Sequence, residues 1–399
     1  MKVVCAPDSL KGSLSAVDAA AAMGRGVRAA LPGAGVEVVE IPIADGGEGT
    51  VEALVRATGG ELVWGEVCGP LPGTTVWAAW GWLGGTEETA QKASPSVGLR
   101  GGVRNTAVVE LAATAGLALV PEQRRDPGVT TTFGVGQQIA AALDAGAECV
   151  VVGLGGSGTN DGGCGMAQAL GGVFRDRLGG AGAVMEGPVT GERLSEVGDV
   201  DLSGLDVRLA GRLVVACDVT NPLTGCQGAA AVYGPQKGTT AEQVVELDAG
   251  LVNVGRVWRE RLGVDVMGMP GAGAAGGCGG GVVAMLGGRL RRGIDLVLDA
   301  VGFADRVQSA DLVLTGEGCL DGQSASGKAV MGVATAAREV GVETVALVGA
   351  AKDGAAKLLE EGLGGYCVIG EGLPEAESVR RAGELMAAAA ERVCCERFG

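Results

Sequence analysis

Five short segments of this chain set carboxylate, amide or lysine side chains among small residues, each directly after an apolar run. Asp8-Ser9-Leu10-Lys11 follows residues 2–6, and Asp45-Gly46-Gly47-Glu48-Gly49 follows residues 36–43. Ser157-Gly158-Thr159-Asn160-Asp161-Gly162-Gly163 follows residues 149–152. Cys217-Asp218-Val219-Thr220-Asn221-Pro222 follows residues 213–215, and Gly316-Glu317-Gly318 with Asp321 follows residues 311–315. Gly234-Pro235-Gln236-Lys237-Gly238 adds a lysine flanked by glycines. Any one such loop reads equally well as an Asx turn or a helix cap. Five together, each after a strand, fit a site for Mg²⁺ and phosphates, because ligands of doubly wound sheets bind beyond the carboxyl ends of the strands.

Roles follow from residue type. Asp161 and Asp218 are candidate partners of Mg²⁺ or of a substrate hydroxyl, and Lys11, Lys237 and Lys328 are candidate cations for phosphate or carboxylate. Asp8, Asp45, Glu48 and Asp321 are candidate general bases. Gly155, Gly156 and Ser157 would offer N–H groups to phosphate, and Ser9, Asn160, Asn221 and Glu317 complete the candidate contacts. As loop residues at a cleft, Asp161 and Asp218 are expected to tolerate change to Asn with little effect on melting and a large effect on turnover.

Composition narrows the chemistry further. The chain has 399 residues and no His, which excludes Ser-His-Asp and Cys-His nucleophiles, His-ligated zinc and imidazole acid–base catalysis. The formal charge is −16, and no basic stripe exists to displace counterions, so nucleic acid is not an expected partner. The basic cluster Arg289, Arg291 and Arg292 reads as a solvated helix face. Eleven Cys occur without a CxxC pair and read mostly as buried small hydrophobes. The opening Met1-Lys2-Val3-Val4 carries no signal peptide and no apolar stretch reaches membrane-spanning length, so the cytoplasm is the expected compartment, with no membrane partner.

Two glycine-rich patterns are decoys. With 75 Gly in the chain, GxGxxG is expected more than once by chance, and it occurs at Gly153-Gly155-Gly158 and Gly271-Gly273-Gly276. The first follows a strand, but Thr159-Asn160-Asp161-Gly162-Gly163 intervenes before a helix can begin, which argues against a dinucleotide site. Gly322 to Ala329 matches a P-loop except that Ala329 stands where a Mg²⁺-binding Ser or Thr belongs.

The elements that must position these loops alternate. A strand over 2–6, a helix capped at Ser15 and a strand over 36–43 make a β-α-β unit, which implies parallel strands. The grammar returns after residue 310, with strands near 311–315, 344–349 and 366–369 and helices near 330–340, 355–361 and 375–393. Between them, Trp64, Trp77, Trp80 and Trp82 alternate over 61–85 and suggest antiparallel strands. The fold class is α/β in two domains. Residues 1–62 and 288–399 form a discontinuous, doubly wound, parallel-sheet domain of flavodoxin or Rossmann type. Residues 63–287 form an inserted mixed α/β domain, with the active-site cleft between the two.

Residues 6–13, 44–50, 155–163, 217–223, 234–238, 270–277 and 315–318, in this order, resemble the type 1 glycerate kinases of bacteria. The resemblance implies a two-domain enzyme that uses ATP and Mg²⁺ to phosphorylate D-glycerate, with 2-phospho-D-glycerate and ADP as products. A 3-phosphate product, another small hydroxy acid as acceptor, or an NAD(P)-binding oxidoreductase are the alternatives. Departures from the pattern are modest: Gly158 stands where Ala is common, Cys319-Leu320 replaces a basic and branched pair, Ser324 replaces Thr, and 102–106 is unfamiliar. None removes an acidic or lysine position. The oligomeric state, monomer or homodimer, is left open.

Overall fold

The computed structural model describes residues 1–10, 12–33, 35–43, 49–84, 105–177, 182–322 and 329–399. Its strands are β1 (Lys2–Cys5), β2 (Glu37–Glu40), β3 (Glu61–Cys68), β4 (Thr75–Trp82), β5 (Thr106–Glu110), β6 (Cys149–Gly153), β7 (Val173–Asp176), β8 (Val197–Asp201), β9 (Leu213–Ala216), β10 (Arg289–Arg291), β11 (Leu312–Thr315), β12 (Cys319–Leu320), β13 (Thr344–Val348), β14 (Ala350–Ala351) and β15 (Gly365–Val368). One five-stranded sheet runs β15-β13-β11-β1-β2, parallel throughout. A six-stranded sheet runs β10-β9-β6-β5-β4-β3, parallel from β10 to β5 and antiparallel at β5-β4 and β4-β3. The α/β expectation holds, and the alternating Trp segment is the β3-β4 pair.

The apolar runs are explained by burial on both faces, as parallel sheets require. In β1, Val3 and Cys5 pack with Met23, Val27, Met386 and Ala390, from the helices Ala16–Ala30 and Ala382–Phe398. Val4 and Ala6 turn the other way, into a layer of helices Thr50–Thr58, Gly293–Ala300 and Ala329–Glu339. Val108, Val151 and Val214 enter that same layer from β5, β6 and β9. Their neighbours Val109, Val150, Val152, Leu213 and Val215 face a third cluster around Ile139 and Trp258. The order is therefore sheet, shared helices, sheet.

Small residues let the helices approach this closely. A Cβ on Gly26 would run into the Ala387 carbonyl oxygen of the facing helix. Ser15 caps the first helix as expected, accepting from the Asp18 N–H at 3.1 Å. Among the elements that escaped the sequence reading are β5 and the helix Ala241–Leu262, which opens on a capping box between Thr240 and Gln243. The Arg289 cluster is corrected. Arg289 and Arg291 lie in edge strand β10, where Arg291 meets Asp299 at 3.0 Å, and Arg292 pairs with Asp295. Of the thiols, Cys5, Cys164, Cys278 and Cys394 are buried, whereas Cys226 and Cys395 are exposed. Among the described residues no helix is long and apolar enough to cross a membrane.

Overpacking the helix contact should cost about 1–3 kcal/mol. Gly26→Val is expected to lower the urea midpoint accordingly. Gly65→Val, on β3 where nothing lies within 4 Å of a Cβ, should leave it unchanged or raise it.

Candidate active site

The carboxyl ends of strands from both sheets converge on a cavity of about 860 Å³. From the five-stranded side come Asp8 and Ser9 beyond β1, Ile43 beyond β2, the start of one helix (Ser15, Ala16 and Val17), and Gly49, Glu52, Ala53 and, in its last turn, Arg56 of the helix Thr50–Thr58. From the six-stranded side come Leu154, Gly155, Gly156 and Ser157 beyond β6 and Ala216 to Val219 beyond β9. Gly12, Leu117, Tyr233, Gln236, Lys237, Ala274 and Ala275 complete it. Helix starts carry partial positive charge and unused N–H groups, which suits phosphate.

Lys237 is the buried cation of this site. It is 2% exposed, and its Nζ donates to Ser157 Oγ at 2.9 Å and to the Thr159 carbonyl oxygen at 2.8 Å. Burial pushes its ammonium down to about 8, against the pull of the nearby Asp161 carboxylate. A desolvated cation of this kind interacts strongly with any anion that reaches it. Arg56, paired with Glu52 at 2.8 Å, supplies a second, exposed cation. Carboxylates reach the cavity from Asp8, Glu52 and Asp218. Asp218 also accepts from the Gly293 N–H at 2.7 Å, capping the helix Gly293–Ala300.

Asp161 does something other than expected. It is fully buried and absent from the cavity wall. Its Oδ2 accepts from the Thr132 N–H at 2.7 Å, the Thr132 hydroxyl at 2.8 Å and the Gly165 N–H at 3.3 Å, while Oδ1 accepts from the Gly163 N–H at 3.0 Å. Burial pushes its carboxyl up and these bonds pull it down. So it pins the start of the helix Phe133–Asp144 to the glycine loop. With those acceptor sites filled by backbone and hydroxyl donors, it is not placed to ligate a metal. Asn160 is likewise buried away from the cavity.

The other candidates sort as follows. Asp8, Ser9, Gly155, Gly156, Ser157, Asp218 and Lys237 share the cavity. Asn221 lies behind it, accepting from the Tyr233 hydroxyl at 2.7 Å and so orienting a ring that lines the wall. Glu317 is buried outside the cavity wall. Asp321 lines a separate, shallower depression with Gly322, Lys352 and Asp353. Lys11, Asp45, Glu48 and Lys328 lie outside the described residues.

Sequence reasoning missed Ser15, Glu52, Arg56 and Tyr233, which carry no loop signature. It also gave no role to Ala275, whose φ of 51° is left-handed and shared with Gly276 and Gly277 at 67° and 87°. Ala275 lines the cavity, and Gly276 has no room for a Cβ beside the Thr159 carbonyl oxygen. A non-glycine held left-handed in a cavity wall marks backbone strain at a functional site. Cys217 also faces the cavity, and burial pushes its thiol up, which leaves it protonated and weakly nucleophilic.

A cleft at the strand ends of two packed sheets, with buried and exposed cations facing carboxylates and no imidazole, defines an α/β enzyme of phosphoryl transfer. The profile of the glycerate kinase family matches residues 3–396. A glycerate kinase of Bacillus subtilis strain 168 is 44% identical over 388 residues, covering 97% of this chain and 95% of its own. A glycerate 2-kinase of Escherichia coli K12 is 43% identical over 364 residues, covering 91% and 89%. A crystal structure assigned to glycerate kinase 2 of Salmonella typhimurium LT2 superposes with a TM-score of 0.83 at 40% identity, covering 100% of this chain and 98% of that one. The chain belongs to the glycerate kinase family. It is a kinase, with ATP the donor that membership implies.

Two outcomes follow from the site. Asp161→Asn turns an acceptor into a donor facing a donor, so it should cost about 1–3 kcal/mol of stability, contrary to the sequence expectation of an unchanged melt. A thermal melt reads this directly. For Lys237, the charged form prevails below about 8. Hence kcat/KM for ATP, which reports the free enzyme, should fall as pH rises through that value. Lys237→Met should lower the rate and remove that limb.

Proposed function

We propose that this enzyme transfers the γ-phosphoryl group of ATP to the 2-hydroxyl of D-glycerate, giving 2-phospho-D-glycerate and ADP. The observation that carries the reading is the buried Lys237, held under Ser157 at the end of β6 and facing a cavity that strands of both sheets supply. Support for the substrate is the family itself, and support for the 2-position is the name of the E. coli relative. We divide the chain into two domains about this cleft, residues 1–60 with 292–399 and residues 61–291, which keeps β3 and β10 with the rest of the six-stranded sheet.

Phosphoryl transfer asks a protein for positioning and charge neutralisation more than for covalent chemistry. Lys237 neutralises charge growing on the transferred group, at a place where low water content makes it count. Ser157 and the N–H groups of Gly155 and Gly156 hold phosphate oxygens, and the helix start at Ser15 holds further negative charge. Asp8 and Asp218 are the carboxylates that orient the attacking hydroxyl and accept its proton.

Mg²⁺ fits this donor set. Among the described residues no three His, Cys, Asp or Glu side chains cluster closely enough to hold a metal alone. A nucleotide-borne Mg²⁺ takes one or two carboxylates, with phosphates and water for the rest, and Asp8 and Asp218 line the cavity. Such an ion would neutralise and align the phosphates.

Purified enzyme with ATP, Mg²⁺ and D-glycerate should release ADP in proportion to glycerate, and no release above background would refute the reaction. In proton-coupled phosphorus NMR the 2-phosphate gives a doublet, from one neighbouring proton, and the 3-phosphate a triplet. Asp218→Asn keeps the shape and removes the charge, so it should cut kcat by about 10²-fold; turnover at the wild-type rate would remove Asp218 from the site.

A further inference from the structure

The helix Thr50–Thr58 gives the cavity Glu52, Ala53 and Arg56, yet it does not cap itself. Its N-cap is Gly49, left-handed at φ 88°, with no side chain to accept from the first turn. The Val51 N–H donates instead to Glu110 Oε1 at 2.9 Å. Glu110 is the last residue of β5, half-buried, in the six-stranded sheet. A carboxylate at a helix start contributes both a charge-assisted hydrogen bond and a favourable interaction with the helix dipole.

Glu110 also sits beside the second wall. It pairs across the ladder with Gly153, and the following residue, Leu111, donates its N–H to the Gly153 carbonyl at 2.9 Å. Gly153 leads directly into Leu154, Gly155, Gly156 and Ser157, which line the cavity. One carboxylate, itself outside the cavity wall, thus ties the helix of one wall to the strand end from which the phosphate loop departs.

We propose that Glu110 is a positioning residue for the transfer: by capping the helix Thr50–Thr58 from the neighbouring sheet, it fixes Glu52 and Arg56 relative to the loop Gly155–Ser157. The inference rests on the kinase reading given above. A residue that only stabilised the fold would change melting and leave the folded enzyme's rate constants alone. A positioning residue changes the rate constants as well, because small misplacements at a phosphoryl-transfer site are costly.

The test compares Glu110→Ala, Glu110→Gln and Glu110→Asp, each assayed well below its own melting temperature. Glu110→Ala should lose kcat by about 10- to 100-fold. Glu110→Gln should stay within about threefold, since its amide oxygen still accepts from Val51. Glu110→Asp, one methylene short, should fall between them. A folded Glu110→Ala enzyme with wild-type kcat overturns the proposal. Should that variant not fold, the other two decide: Gln above Asp supports positioning, and Asp equal to or above Gln overturns it. If the wild type itself releases no ADP with glycerate, the reaction is wrong. ATP affinity by calorimetry then reads Glu110 separately, with about tenfold weakening expected in the Ala or Asp variant and unchanged affinity counting against it.

Discussion

The buried Asp161 carboxylate is the constraint on which the site depends. It satisfies N–H groups of Thr132, Gly163 and Gly165 that burial would otherwise leave without partners, and each such group left unmade would be expensive. By doing so it fixes the loop whose Thr159 carbonyl and Ser157 hydroxyl receive Lys237. The position of the cation at the cavity is thus inherited from a carboxylate outside the cavity wall.

Glycine makes this arrangement possible. The loop after β6 and the segment at 274–281 approach backbone to backbone: the Gly162 N–H donates to the Gly276 carbonyl at 3.0 Å, and a Cβ on Gly281 would overlap the Gly162 carbonyl oxygen. The same economy of side-chain volume joins the helices Ala16–Ala30 and Ala382–Phe398. A composition so rich in Gly and poor in aromatics follows from packing by close backbone approach, which demands small residues at each crossing.

The positions of the main parallel strands and the chemistry of their loops were legible in the sequence because parallel strands buried on both faces read as apolar runs, and because polar residues among small ones punctuate their ends. Asp218 and the Gly155–Ser157 loop were singled out in this way, and Lys237 by the glycines that flank it. The division between carboxylates that face the cavity and those that brace it was not legible. Asp161 and Asp218 both follow an apolar strand, and only the partners brought from Thr132 and Gly293 separate them. Arg56 and Glu110 were invisible for a related reason: each lies inside a regular element, where spacing reports a solvated face or a strand end and says nothing of what lies across the cleft.

The central strand pair of the five-stranded sheet has a consequence for how the chain is made. Val3 in β1 lies beside Leu312 in β11, so β1 leaves the ribosome long before the strand that neighbours it on that side. The six-stranded sheet, with all its strands between residues 61 and 291, can close earlier. During synthesis an apolar amino-terminal segment is therefore exposed with only β2 to cover its edge, and non-local closure of this kind is slow and vulnerable to aggregation. Asp8, whose N–H donates to the Gly316 carbonyl just beyond β11, comes into place with that pairing.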